Sequence, residues 1–256
     1  TASIGIARAP EHGQSADDLM RHADIALYEA KSQGRDRAMT FSAEMASHVE
    51  TRRAIEVDLR AAIEREELRL TYQPIVSCCT GAIVGAEALL RWRHPLRGEI
   101  PPSTFIPIAE ISGLMPALGT WMLEQAIRDS RQWPDIEIAV NLSPVQFKQA
   151  DLEAILKRLT TVYDVAPSRI VLEITEGMLL EATDQTKAVL QGLQDMGFKT
   201  ALDDFGTGYS SLSYLCNFKF DKIKIDRSFV TNVSSAITSR TIVQSVVSLG
   251  RGLGMR

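Results

Sequence analysis

The sequence predicts an α/β protein whose main domain is a (β/α)8 barrel, on two observations. From about residue 70 onward, strand-like and helix-like stretches alternate. Leu70–Val76, Ile83–Trp92, Glu137–Leu142, Ile170–Thr175, Lys199–Asp203 and Phe220–Asp226 read as strands. Pro102–Ser112, Thr120–Gln132, Pro144–Val162, Met178–Met196, Ser210–Cys216 and a last stretch from Phe229 to about Leu253 read as helices. Alternation requires crossover connections and so a mostly parallel sheet, which a doubly wound sheet satisfies as well as a barrel. The second observation separates the two. Glu87, Asn141, Glu173, Asp203 and Lys224 each interrupt or end an apolar strand. A buried charge without partners costs several kcal/mol, so five such residues are tolerable only where they converge. Barrel strands project their C-terminal residues into one mouth.

The 256 residues suffice for one large domain or one and a half ordinary ones. Hydrophobic content of 45% and charged content of 23% are those of a globular protein. A net charge of −4 argues against a nucleic-acid polymer or a polybasic membrane surface as partner, and suits carboxylates gathered around divalent cations. No run approaches the ~18 apolar residues of a membrane span, and no signal peptide opens the chain. Cys78 and Cys79 are neighbours and Cys216 is remote, which is neither metal-ligand spacing nor a disulfide framework. The expectation is a reduced, cytoplasmic protein, or the cytoplasmic part of a longer, membrane-anchored one.

Taken in order, Thr1–Ala7 reads as a short strand. Ser15, followed by Asp17 and Asp18, reads as a capped helix start. Leu19, Ala23, Ala26, Leu27 and Ala30 continue a helical stripe that Gly34 ends. One strand and one helix cannot bury a core, so this piece is expected to end something larger. Phe41–Leu70 is charged and lacks glycine, with Met45, Val49, Leu59 and Ile63 at roughly helical spacing. It reads as a helical connector or as the main domain's first helix.

The stretch Lys199–Leu212 is the most unusual. An apolar run stops in adjacent carboxylates, Asp203 and Asp204, and the loop Phe205, Gly206, Thr207, Gly208 leads to hydroxyls at Tyr209, Ser210 and Ser211. Adjacent carboxylates repel and call for a nearby positive charge. The plainer reading is a turn in which aspartate caps a helix and glycine supplies positive φ. Together, Glu87, Asn141, Glu173, Asp203 and Asp204 offer hard oxygen ligands, which suit Mg²⁺ or Mn²⁺. No His or Cys cluster favours zinc.

The motifs resemble a known family. TASIGIA and DDLMRHADIALYEAKSQGRDR are similar to the last strand and helix of a GGDEF (diguanylate cyclase) domain, without that family's signature loop. YQPIV, EALLRWRHP, FIPIAE, NLSPVQF, LEITEG, LDDFGTGYSSLSYL and KIKIDRSFV resemble, in order and spacing, the EAL-domain phosphodiesterases that hydrolyse cyclic di-GMP. The resemblance implies a GGDEF remnant over 1–43, a helical connector over 44–60 and an EAL domain over 55–256. The fold it implies is a TIM-like (β/α)8 barrel truncated before its last two strands, because the family's later AEGVE glutamate and its closing elements do not follow. The sequence is accordingly expected to be a fragment of a longer protein, and its activity in this length is open.

The resemblance further implies two metal ions, Mg²⁺ or Mn²⁺, held by Glu87, Asn141, Glu173 and Asp203, with Asp203 bridging to a second ion that Asp204 also holds. Lys224 would orient the attacking water or ease its deprotonation. Glu176 would anchor the DDFGTGYSS loop, or else merely cap the next helix. Arg91 would pair with a substrate phosphate, its plainer reading being a surface arginine. Gln73 and Leu89 would contact the ligand, and a homodimer through the EAL domain is implied. The competing functions are a module that binds cyclic di-GMP without cleaving it and an interaction scaffold, which would leave the converging acids without a use.

Overall fold

The computed structural model describes residues 1–180, 184–206 and 218–255. The chain divides into two compact units, Thr1–Ala61 and Ala62–Arg256. In the first, β1 (Ile4–Ile6) pairs in parallel with β2 (Ala38–Thr40), and α1 (Ala16–Ser32) connects them. The Ser15 side chain caps α1 by accepting from the Asp18 N–H. The strand lies so close to the helix that a Cβ at Gly5 would fall 2.0 Å from the Ala23 carbonyl oxygen, so only glycine fits. The glycine-free stretch forms α2 (Ala43–Ala62).

Among the described residues, the second unit is built on a seven-stranded sheet. Its path runs β3 (Leu68–Val76), β4 (Ile83–His94), β6 (Glu137–Asn141), β7 (Ile170–Thr175), β8 (Lys199–Phe205) and β9 (Lys222–Ile225), with β5 (Gly98–Ile100) paired to the end of β4. From β4 to β9 the pairing is parallel, as expected. The β3–β4 pair is antiparallel, because the connection over residues 77–82 is too short for a crossover. Helices α3 (Pro102–Ile111) and α4 (Met115–Ser130) fill the β4–β6 return. α4 starts at Met115, ahead of the expected Thr120, with Pro116 in its first turn, where proline costs no hydrogen bond.

Two expected helices are each broken in two. Pro144–Val162 becomes α5 (Pro144–Phe147) and α6 (Leu152–Val162). Of the expected Met178–Met196, the described residues give α7 (Glu176–Leu180) and α8 (Asp184–Asp195), and residues 181–183 lie outside them. The last stretch becomes α9 (Arg227–Thr231) and α10 (Ile237–Gly252). Local caps explain two of these starts: a capping box between Ser143 and Gln146 opens α5, and Asp226 accepts from the Ser228 N–H to open α9. The expected Ser210–Cys216 helix lies outside the described residues. Among the described residues, no helix is long and apolar enough to cross a membrane.

The sheet is rolled. Laid flat, β4 and β9 would stand about 19 Å apart at ~4.8 Å per strand. Yet the Lys224 ammonium on β9 lies 3.1 Å from Glu87 Oε2 on β4. On β4 the outward residues Ala86, Ala88, Leu90 and Trp92 are buried, with Trp92 edge-on to Phe105 of α3 at 5.5 Å. On the inner face Ala139, Val171 and Ala201 form a layer of small, buried side chains beneath the polar residues. Ala201→Leu is expected to overfill this layer and lower unfolding free energy by about 1–3 kcal/mol, measured by urea denaturation.

Candidate active site

Strand alternation builds the site. On β4, Gly85, Glu87, Leu89 and Arg91 share the inner face while their neighbours go outward. Parallel register then brings the strand ends level, with Asn141 on β6 beside Glu173 on β7, and Thr175 on β7 beside Asp203 on β8. Lys224 of β9 enters the same space.

The Lys224 ammonium is the hub. It lies 2.6 Å from Glu173 Oε2, 3.0 Å from Asp203 Oδ2 and 3.1 Å from Glu87 Oε2. Asn141 Nδ2 donates to Glu87 Oε1 at 2.8 Å. Glu87, Glu173 and Asp203 each offer an oxygen within 4.8 Å of the others. Burial of Glu173, 2% exposed, raises its pKa; Lys224 counters this only in part, leaving it at about 7. For Lys224, burial acts to lower the pKa, but Glu173, Asp203 and Glu87 outweigh it and the net shift is upward. The lysine is therefore a fixed cation. It pairs with neither Asp221, which accepts from the Thr200 N–H, nor Asp226, the cap of α9.

Asp204 stays outside the group of three acids. It is exposed with φ +54°, and its N–H donates to Asp203 Oδ1 at 2.9 Å. Residual burial and the repulsion of Asp203 raise its pKa. The αL region is open to aspartate, so the adjacent acids do not share one strand conformation. Glu176, buried at the head of α7, accepts from the Gly206 N–H at 3.2 Å. Gly206 has φ +101°, and a Cβ there would meet the Phe229 ring at 2.9 Å. Phe205 is buried beside it. Thr207, Gly208 and the hydroxyls at Tyr209, Ser210 and Ser211 lie outside the described residues. Gln73 stands opposite Glu87 in the β3–β4 ladder, and Leu89 follows Glu87 on the inner face. The Arg91 guanidinium donates to the Leu90 carbonyl at 2.8 Å.

The sequence reading missed a second set of inner charges: Glu137 is held by Lys199 and Lys222. The signal was present, since Glu137 shares the alternation of Ala139 and Asn141 in EIAVN.

Glu173 has a consequence for stability in the metal-free protein. The folded state holds its proton up to about pH 7 and the unfolded chain only up to about 4.5. Folding takes up a proton between those values, so stability from this group falls as pH rises across that window. Glu173→Gln is expected to abolish this component, making the metal-free protein more stable above pH 7 by on the order of 3 kcal/mol and flattening the difference near pH 4.5. Denaturation of both proteins across the pH range measures it.

The EAL domain family matches residues 56–256, and the diguanylate cyclase GGDEF domain matches residues 1–37. The chain is 41% identical over 261 residues to the bifunctional diguanylate cyclase/cyclic di-GMP phosphodiesterase MucR of Pseudomonas aeruginosa. It is 36% identical over 260 residues to the cyclic di-GMP phosphodiesterase PdeR of Escherichia coli. Both alignments cover 100% of this chain, but the chain spans only 38% and 39% of those relatives' length. Among solved structures, the PaMucR phosphodiesterase in complex with c-di-GMP is similar with a TM-score of 0.75 and 40% identity, covering 79% of this chain and 84% of that one. The EAL match takes in β3 to β9 and every residue of the inner cluster. This chain belongs to the EAL domain family, with its TIM-like (β/α)8 fold, and carries a short GGDEF segment at its N-terminus.

Proposed function

We propose that this chain supplies the hydrolytic site of a phosphodiesterase that opens cyclic di-GMP to the linear dinucleotide pGpG in bacterial second-messenger signalling. The observation that carries the reading is the convergence of Glu87, Glu173 and Asp203 from three strands on one point, with Asn141 bonded to Glu87. The printed activities of MucR and PdeR, and the ligand of PaMucR, support it. The domain limits of 1–43, 44–60 and 55–256, a cytoplasmic location and a homodimer through the EAL domain belong to the same proposal.

EAL domains are metal-dependent, and the donor set fits a hard divalent cation: oxygen atoms only, three of them anionic, drawn close enough for one ion to replace the ammonium they now share. Glu87, Asn141, Glu173, Asp203 and Asp204 would hold two ions of Mg²⁺ or Mn²⁺. When bound, such ions supply positive charge at the attacking and leaving oxygens and lower the pKa of water.

The chain's own residues do the rest. Lys224, with its raised pKa, acts as a donor rather than a base, so it orients the attacking water and steadies negative charge. Glu176 holds the start of the loop through Gly206. Arg91 turns its planar fork from the Leu90 carbonyl to a phosphate, for which bidentate geometry suits it. Gln73 and Leu89 line the approach beside Glu87.

The test is hydrolysis of cyclic di-GMP with Mg²⁺ or Mn²⁺. Glu87→Ala is expected to reduce turnover by more than the ~100-fold that loss of an outer-shell partner costs. Tight binding without turnover by the unaltered protein would make it a receptor and overturn the reading.

A further inference from the structure

Beneath the converging acids, toward the N-terminal ends of the strands, lies a charged group that the hydrolytic reading leaves unused. Glu137 opens β6, and each of its carboxylate oxygens accepts from a lysine: Oε1 from Lys199 at the start of β8, Oε2 from Lys222 at the start of β9. All three residues are half-buried. Burial works to raise the Glu137 pKa, and the two lysines more than offset it, so the group is anionic.

We infer that Glu137 is a positioning residue for Lys224: by holding Lys222 from across the rolled sheet, it selects the register of β9 that delivers the Lys224 ammonium to Glu87, Glu173 and Asp203. The inference rests on the reading of that cluster as a phosphodiesterase centre. Strand β9 has only four residues, Lys222–Ile225, and its ladder with β8 is interrupted between Leu202 and Phe205. Its sequence is Lys-Ile-Lys-Ile, a repeat with the period of a strand. A slip of one residue would turn both lysines to the outer face and both half-buried isoleucines to the polar inner face, which their apolar character opposes. A slip of two would present an identical pattern, with Lys222 standing where Lys224 stands. Apolar patterning cannot tell these registers apart. A carboxylate at the depth of Lys222 can, because in the observed register β9 gives one lysine to Glu137 Oε2 below, beside Lys199 on Oε1, and another to the three acids above, whereas the slipped register leaves Oε2 without its lysine. Asp221, bonded to the Thr200 N–H, ties down the approach to the strand but not the lysine pair. Lys199 is placed differently: β8 pairs with β7 through five consecutive residues, Val171↔Lys199 to Thr175↔Asp203, so its register does not depend on Glu137.

The experiment compares Glu137→Gln, Lys222→Met, Lys222→Arg and Lys199→Met in the intact protein. It reads kcat and KM for cyclic di-GMP, the Mn²⁺ concentration at half-maximal thermal shift, and metal-free stability. Glu137→Gln and Lys222→Met are expected to lower kcat about tenfold, the scale of an outer-shell loss, with KM within about twofold. Lys222→Arg restores kcat, and Lys199→Met lowers the melting temperature while leaving kcat in place. Equal stability losses in all three neutralising variants with kcat unchanged would show a purely structural ion group and overturn the inference. Should Glu137→Gln fail to fold, Lys222→Met against Lys222→Arg decides on the same criterion. If the unaltered protein binds Mn²⁺ without hydrolysing cyclic di-GMP, the phosphodiesterase reading fails by itself. The Mn²⁺ midpoint of Lys222→Met then decides: a shift of about tenfold supports positioning and an unchanged midpoint overturns it.

Discussion

The ammonium of Lys224 is the point on which the second unit closes. It draws the Glu87 carboxylate of β4 to those of the neighbouring strands β7 and β8, from which a flat sheet would hold it about 10–14 Å away. Three acids in one pocket repel, and a cation at hydrogen-bond distance from each turns that repulsion into a reason for the sheet to roll. Burial penalises the charged form of both partners: at Glu173 it prevails and raises the pKa, whereas at Lys224 the three carboxylates outweigh it and raise the pKa against it.

The rest of the inner face is arranged around that contact. Ala139, Val171 and Ala201 fill the space below without crowding it, while the outer face of β4 carries the large Trp92, packed on Phe105 of α3. The polar residues thus sit on a floor of small, rigid neighbours, and the floor rests in turn on the Lys199–Glu137–Lys222 group. Such layering separates the two charged groups with apolar side chains, and most of the hydrophobic stability comes from the outer faces.

Much of this was legible in the sequence, for identifiable reasons. Ile170–Thr175 reads as a strand because an apolar run interrupted by Glu173 is bounded by Pro167 and Glu176, and Glu87, Asn141, Glu173, Asp203 and Lys224 stand out because each contradicts its apolar surroundings. What escaped depends on contacts between distant elements or on single caps. β2 and β5 are three residues each, too short to show a period. The breaks before α6 and α10 fall in polar stretches where helical spacing persists by chance. Glu137 finds its lysines only once the sheet curves, since neither Lys199 nor Lys222 lies on a strand adjacent to β6. The positive φ of Asp204 is invisible to any pattern of hydrophobicity.

The antiparallel first hairpin has a practical bearing. Because β3 descends and β4 ascends, their connection lies at the end of the sheet away from the converging acids, and it displays two exposed thiols, Cys78 and Cys79. Four residues of extended strand, about 13 Å, separate Ile83 at the foot of β4 from Glu87. A maleimide dye or spin label attached there would ride on the rigid scaffold and report its motion while leaving the chemistry at the opposite rim untouched.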